Sequence, residues 1–405
     1  MTQPTHASGS TSHQLAREPS GAPLRDPGDR PAQILGPDGV LAGAPGWVTP
    51  GLTRDLYRWM RLTRRLDAEA FALQRHGELG IWAQSLGQEA AQVGSVTALR
   101  PADYVFPSYR EHAACLVRGV SPSQILAQWR GVSGCGWDPA ARHLHAYTVV
   151  LGAHLPHATG YAMGVQRDGT DEVVTAYFGD GASSQGDANE AFNWAATCSA
   201  PVLFFCQNNQ YAISTPASLQ MRTPIHHRAA GFGLRSFLVD GNDVLAVHEV
   251  TREAVRHIRS GGGPAFVEAV TYRMGAHTSS DDPTRYRDQA ESDAWQAKDP
   301  LSRVEKLLEA QGWWDQGFRT ALDAECEALA VEVRSAVRGF GPVELDGLFD
   351  QVYARRTALL SSEKAAYADL VAGFLDEEVD DDGGPPDSLA GQARTARAFG
   401  VGVGR

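Results

Sequence analysis

Residues Glu172–Asp187 read EVVTAYFGDGASSQGD, and the fold turns on how this stretch is read. A β-branched and aromatic run, Val173 to Phe178, stops abruptly at Gly179-Asp180-Gly181. Apolar residues on both faces indicate a strand covered on both sides, and the glycines end it in a turn. DANEAFNWAATCS, from Asp187, then has helical spacing, and PVLFFCQ, from Pro201, is a second doubly apolar strand. The alternation returns in SFLVD from Ser236, in the helical DVLAVHEVTREAVRHIRS from Asp243, and in AFVEAVTYR from Ala265. Doubly apolar strands separated by helices predict an α/β class: a doubly wound parallel sheet with helices on both faces.

Upstream, LTRDLYRWMRLTRRLDAEAFALQRHG spaces Leu52, Leu56, Trp59, Met60, Leu66, Ala70 and Leu73 near helical intervals. Thr49 before Pro50 is a start signal and Gly77 a stop. A mainly helical stretch follows to about Arg130, and AQILGPDGVLAG from Ala32 predicts two short strands around a Pro-Asp-Gly turn. After Pro300 the pattern is amphipathic, a helical C-terminal segment. Residues 1–31 and 376–405 are poor in large apolar side chains and are expected to be disordered, leaving 32–375 as one domain.

The 405 residues carry a formal net charge of -12, which argues against non-specific nucleic-acid binding. A small anion remains admissible, because local arginines and helix N-termini act at short range. The five cysteines form no CxxC pair, the pattern of reduced thiols buried in a cytosolic protein. No apolar run nears the ~20 residues that span a bilayer. The first residues also lack the basic-then-apolar order of a signal peptide. A cytoplasmic protein without membrane association is expected.

Asp180 and Asn209 stand at the carboxyl ends of consecutive predicted strands, about thirty residues apart. If one crossover joins those strands, both loops open on the sheet edge where ligands bind. A carboxylate with an amide oxygen is a hard donor set that suits Mg²⁺ or Ca²⁺ rather than zinc. Gly179 and Gly181 let a phosphate approach the backbone, so the pair reads as a metal with a diphosphate. A GDG or an Asn-Asn alone is commonly just a turn; their placement together reverses that reading.

GDGASSQGDANEAFNWAATCSAPVLFFCQNNQYAIST resembles the thiamine-diphosphate motif, GDG followed by NN. SLGQEAAQVGSVTAL, VFPSYREH, LPHATGYAMG, VDGNDV and TYRMGAHTSSDDPTRYR extend the likeness from about Gln33 to Tyr353. Together they resemble the alpha subunit of the decarboxylating component of 2-oxo acid dehydrogenase complexes, the branched-chain type in particular. The resemblance implies the thiamine-diphosphate-binding fold, with thiamine diphosphate and Mg²⁺ as cofactors. It implies that Asp180, Asn209 and the carbonyl of Tyr211 hold the metal. Ser108, Tyr109, Arg110, Gly179, Gly181, Ala182, Ala212 and Ile213 then contact the cofactor, with Val149 and Leu151 supporting its bent shape. His277 is the implied catalytic residue, in a role suited to a side chain that titrates near neutrality. Ile81 and Tyr109 are implied to face the substrate. Asp281, Tyr286 and Arg287 are read as ordering the loop after His277, and Arg273 as a structural ion-pair partner.

Two departures stand out. Gln207 occupies a position where relatives often carry Arg, and TVVLGAH retains only Thr148 of the oxygens that hold potassium in some relatives, so no potassium is expected. The implied partners are a beta subunit that completes a heterotetramer and supplies an activating glutamate, and a lipoylated transacylase core. The implied activity is oxidative decarboxylation of branched-chain 2-oxo acids, with pyruvate as the alternative. A catalytically dead scaffold paralogue fits poorly with the retained site residues. A magnesium-dependent phosphohydrolase explains neither SYREH nor GAHTSSDD.

Overall fold

The structure, a computed structural model, describes residues 30–379 apart from 44, 342, 344 and 351. The segments expected to be disordered lie outside the described residues except for 30–31 and 376–379. The chain divides into two compact units at Phe340/Gly341.

In the first unit, α1 (Pro50–Arg75) starts where Thr49 is extended and its hydroxyl accepts from the Leu52 N–H at 3.3 Å. The helix runs out at Gly77, whose φ of +77° suits glycine. Of the spaced residues, Leu56, Met60, Leu66, Ala70 and Leu73 are buried, while Leu52 and Trp59 are only partly so. There follow α2 (Glu89–Thr97), β1 (Tyr104–Phe106), α3 (His112–Val117), α4 (Pro122–Arg130) and α5 (Pro139–Arg142). The strand β1 is a correction, since this stretch reads as helical; three residues are too few to establish a period of two.

The core continues through α6 (His154–Asp168), β2 (Val174–Gly179), α7 (Gly186–Cys198) and β3 (Val202–Asn208). A two-residue antiparallel ladder, β4 (Tyr211–Ala212) with β5 (Thr215–Pro216), leads to α8 (Ala217–Gln220) and α9 (Ile225–Gly231). Then come β6 (Arg235–Asp240), α10 (Val244–His257) and β7 (Ala265–Val270). α11 (Gln289–Gln296), α12 (Pro300–Ala310) and α13 (Gln316–Gly339) complete the unit. The second unit, by itself, contains α14 (Leu345–Phe349) and α15 (Ala358–Val379).

Five strands form one parallel sheet in the order β1-β2-β3-β7-β6. Period-two alternation sends Tyr177, Leu203, Phe205 and Val267 into a core shared with α1, α2, α10, α12 and α13. Ala176, Phe178, Phe204 and Phe266 face the other way, into a core with α6, α7 and α9. Helices therefore cover both faces, as the doubly apolar strands predict.

The Pro-Asp-Gly segment needs a second correction. Leu35 and Leu41 form one antiparallel bridge rather than two strands. The N–H groups of Ile34 and Leu35 both donate to Oδ2 of Asp243, at 2.6 Å each, so they are not available to a ladder. Ala32 instead bridges Val239 in parallel at the sheet's edge.

Candidate active site

Because β2 and β3 are parallel neighbours, with Gly179 opposite Gln207, the turns after them share the carboxyl edge of the sheet. There a cavity of about 690 Å³ opens. Its walls include every site residue singled out above: Asp180, Asn209 and Tyr211; Gly179, Gly181 and Ala182; Ser108, Tyr109 and Arg110. The others are Val149 and Leu151, Ala212 and Ile213, Ile81 and His277. Asp67 of α1 holds the loop that presents Ile81, accepting from the Trp82 indole at 3.0 Å and from the Ser85 N–H at 2.8 Å.

Asp180 is 1% exposed, and its Oδ1 accepts from the Asn209 N–H at 3.1 Å. Its Oδ2 accepts from Gln220 Nε2 at 3.0 Å. Burial pushes this carboxyl above its ordinary range, against its hydrogen bonds and the nearby charge of Arg273. The side-chain nitrogen of Asn209 donates to Gln88 Oε1 at 3.2 Å. Its oxygen therefore faces the carbonyl of Tyr211 at 3.0 Å and Asp180 Oδ1 at 3.3 Å. Turning the amide over would satisfy those two acceptors with its nitrogen. With its oxygen on that side instead, the amide joins the Asp180 carboxylate and the Tyr211 carbonyl in the donor set of a hard cation. The residues present therefore fit Mg²⁺ with further oxygens supplied by water and a ligand.

Beside this set the backbone is open to an anion. A Cβ on Gly179 would meet nothing within 4 Å, whereas one on Gly181 would lie 2.7 Å from the Cβ of Ala212. The first glycine leaves space, and the second lets β4 pack close. Arg110, 5% exposed, anchors its guanidinium on the carbonyls of Gln84 at 2.5 Å and His277 at 2.9 Å. No carboxylate pairs with it, so positive charge is held at the wall, a feature that fits a diphosphate.

His277 sits between two guanidiniums, its Nδ1 lying 3.4 Å from Arg110 Nη2 and 3.3 Å from Arg273 Nη1. Guanidiniums only donate, so Nδ1 accepts and the ring proton is on Nε2. Burial, Arg110 and Arg273 together hold the imidazole at about 3. The expected titration near neutrality is thus corrected: at pH 7 this is a neutral imidazole. Asp281 ties down the following loop, accepting from the His277 N–H at 2.8 Å and the Tyr286 hydroxyl at 2.5 Å.

Arg273 is also corrected, for it has no acidic partner. Fully buried, it donates to the carbonyls of Tyr211 at 3.2 Å and Ile213 at 2.7 Å, and to the Tyr286 hydroxyl at 3.0 Å. It thereby clamps a bend in which Gln210 and Ile213 have φ of +73° and +54°. A β-branched residue in that region is strained, and both carbonyl bonds oppose its relaxation.

Gln207 donates to Glu111 Oε1 at 2.6 Å and accepts from Gln92 at 3.1 Å, while Ser108 donates to Glu111 Oε2 at 2.7 Å. The glutamine thus satisfies a buried carboxylate rather than reaching out for phosphate. Gln88, Gln220 and Glu111 escaped the sequence reading. Lone glutamines carry no pattern, and their roles arise only when α2, α8 and the sheet edge meet.

Comparison with known proteins places the chain in a family. Residues 57–338 match the dehydrogenase E1 component family. The chain is 42% identical over 353 residues to the 3-methyl-2-oxobutanoate dehydrogenase subunit alpha of Mycobacterium tuberculosis, covering 86% of this chain and 96% of that one. It is 35% identical to the mitochondrial 2-oxoisovalerate dehydrogenase subunit alpha of Homo sapiens, covering 86% and 80%. It is also 35% identical to the pyruvate dehydrogenase E1 component subunit alpha of Staphylococcus epidermidis, covering 83% and 92%. The chain therefore belongs to the dehydrogenase E1 component family, as an alpha subunit of the branched-chain 2-oxo acid dehydrogenase type.

Proposed function

We propose that this chain, with thiamine diphosphate and Mg²⁺, decarboxylates 3-methyl-2-oxobutanoate and its branched homologues. Its partners are a beta subunit, in a heterotetramer, and a lipoylated transacylase core that takes the acyl group. The observation that carries this reading is that the Asp180 carboxylate and the Tyr211 carbonyl meet at one end of the Asn209 amide, beside an uncompensated Arg110. The three oxygens hold Mg²⁺, while Arg110, Ser108, Tyr109 and the Gly179–Ala182 backbone hold the diphosphate. Val149, Leu151, Ala212 and Ile213 support the organic body.

When bound, thiamine diphosphate supplies a nucleophilic carbon and a sink for the electrons released by decarboxylation. The protein's own work is positional and electrostatic. His277 keeps its proton on Nε2, where it donates to a substrate oxygen without carrying charge itself. Ile81, Leu151 and Val149 give the mouth an apolar wall that favours a branched hydrocarbon tail over a polar one. Five free thiols fit a reducing cytoplasm.

Changing Asp180 to Ala should abolish Mg²⁺-dependent binding of thiamine diphosphate, read by calorimetry on a folded variant. Unchanged affinity refutes the ligand assignment. Co-expression with the beta chain and comparison of kcat/KM across 2-oxo acids tests the substrate; a preference for pyruvate overturns the branched-chain reading.

A further inference from the structure

A second cleft, of about 670 Å³, lies among the end of α2, the loop Leu99–Ala102, the end of α3 and the last turn of α5. No residue lines both cavities. Three arginines and a histidine converge here, Arg100, Arg118, Arg142 and His143, and no carboxylate lines the walls. Arg100 is paired with Asp171 at 2.6 Å, at an exposed rim. Arg118 and Arg142 have no acidic partner among the described residues. Arg118 spends Nη1 on the Pro101 carbonyl at 2.8 Å, and its Nη2 is buried without a partner. The nearby Asp103 attracts it, but Asp103 already accepts from Arg259 at 2.5 Å, from the Val173 N–H at 2.9 Å and from the Arg100 N–H at 2.7 Å. The exposed guanidinium of Arg142 has no side-chain bond and lies over Gly119. Nδ1 of His143 is buried and unpartnered, on a residue held at φ +47° as the cap of α5.

Buried donors left unsatisfied cost stability, and like charges gathered with too few counter-charges repel. Such an arrangement is relieved by an anion that accepts from several of them at once. Val96, Leu99 and Val117 supply an apolar side to the same cleft, and its volume exceeds what a bare phosphate fills. We propose that this cleft is a second ligand site, binding a small organic anion through Arg118, Arg142 and His143. The ligand has a phosphate or carboxylate head and a short apolar body. The site stands on its own residues, independently of how the first cavity is used. α3 links the two, since Glu111 at its start lines one cavity and Val117 at its end lines the other.

The test titrates the purified chain, and its complex with the beta chain, with inorganic phosphate and separately with 3-methyl-2-oxobutanoate, using calorimetry without thiamine diphosphate. Binding of phosphate that Arg142→Glu weakens assigns a phosphoryl head to the cleft, and such binding of the 2-oxo acid alone assigns a carboxylate. Arg142→Glu should weaken binding by roughly tenfold or more, the effect of losing one charge-assisted contact. It should leave the ligand-free melting temperature unchanged. Arg110→Met, in the first cavity, should leave binding intact. Absence of binding overturns the proposal, as does sensitivity to Arg110→Met with indifference to Arg142→Glu. Binding by the isolated chain that vanishes in the complex also overturns it, because the beta chain then fills the cleft.

Discussion

Among the buried imidazoles, His112 has both ring nitrogens engaged, Nδ1 with the Tyr147 hydroxyl and Nε2 with the Ala83 carbonyl, each at 2.8 Å. Its ring stacks on Trp82 at 4.2 Å. Burial, with help from the Arg110 charge, holds it at about 3, whereas an unfolded histidine titrates near ~6.5. Between those values the unfolded chain binds the proton and the folded chain does not. The stability this neutral ring contributes is therefore full above pH ~6.5 and is lost as pH falls toward 3. At pH 5 the loss amounts to roughly 2 kcal/mol relative to pH 7.5. His112→Gln should be less stable at pH 7.5, but its urea stability should fall less between pH 7.5 and 5, by about that amount. Parallel declines in the two proteins would rule out His112 as the group responsible. His277 obeys the same electrostatics for a different purpose: two neighbouring guanidiniums keep it neutral where a ligand meets the wall.

The elements that carry the site differ in how plainly the sequence announces them. β2, β3 and β7 are buried on both faces, and β6 from Phe237 to Val239, so each appears as a mainly apolar run. Asp180 and Asn209 could be placed together on that basis, since parallel neighbours put their following turns on one edge. β1 is too short to announce itself, and the Ala32–Gly43 segment reads as strands because its turn chemistry is right. The side chain that takes its N–H groups, Asp243, lies about two hundred residues downstream. The clamp on the β4 bend was equally illegible. Arg273 reads as one basic residue in an ordinary run, and only the fold places it under the carbonyls of Tyr211 and Ile213. A lysine there offers a single ammonium in place of a planar fork. Arg273→Lys should therefore let the strained bend relax and misplace the Tyr211 oxygen. We expect roughly tenfold weaker Mg²⁺-dependent binding of thiamine diphosphate, the loss of about one charge-assisted hydrogen bond, with an unchanged far-UV spectrum. Wild-type affinity in that variant would show that the bend holds its shape without the fork.

At the scale of the whole molecule, the first cavity has walls that this chain leaves unfinished. Val149 is 61% exposed, Ile213 52%, Leu151 40% and Ile81 39%, all of them large apolar residues lining a ligand site. An enclosed site excludes water and strengthens its electrostatics, and the proposed beta subunit would cover a mouth rimmed by exposed valine, leucine and isoleucine. The acid inventory points the same way. The carboxylates at the wall of the cavity, Asp180 and Glu111, are both committed, one among the converging oxygens and the other to Ser108 and Gln207. Neither is free to act as the acid that activates the aminopyrimidine ring of thiamine diphosphate. The proposed function therefore gives this chain the metal and diphosphate end of the site and assigns the activating carboxylate to the beta subunit. Purified alone with thiamine diphosphate and Mg²⁺, it should bind the cofactor yet release no carbon dioxide from 3-methyl-2-oxobutanoate above the protein-free rate. Adding the beta chain should restore turnover, and adding it to Asp180→Ala should not. Decarboxylation by the wild-type chain alone, at a rate that the beta chain does not raise, would mean that the activating carboxylate resides in this chain after all.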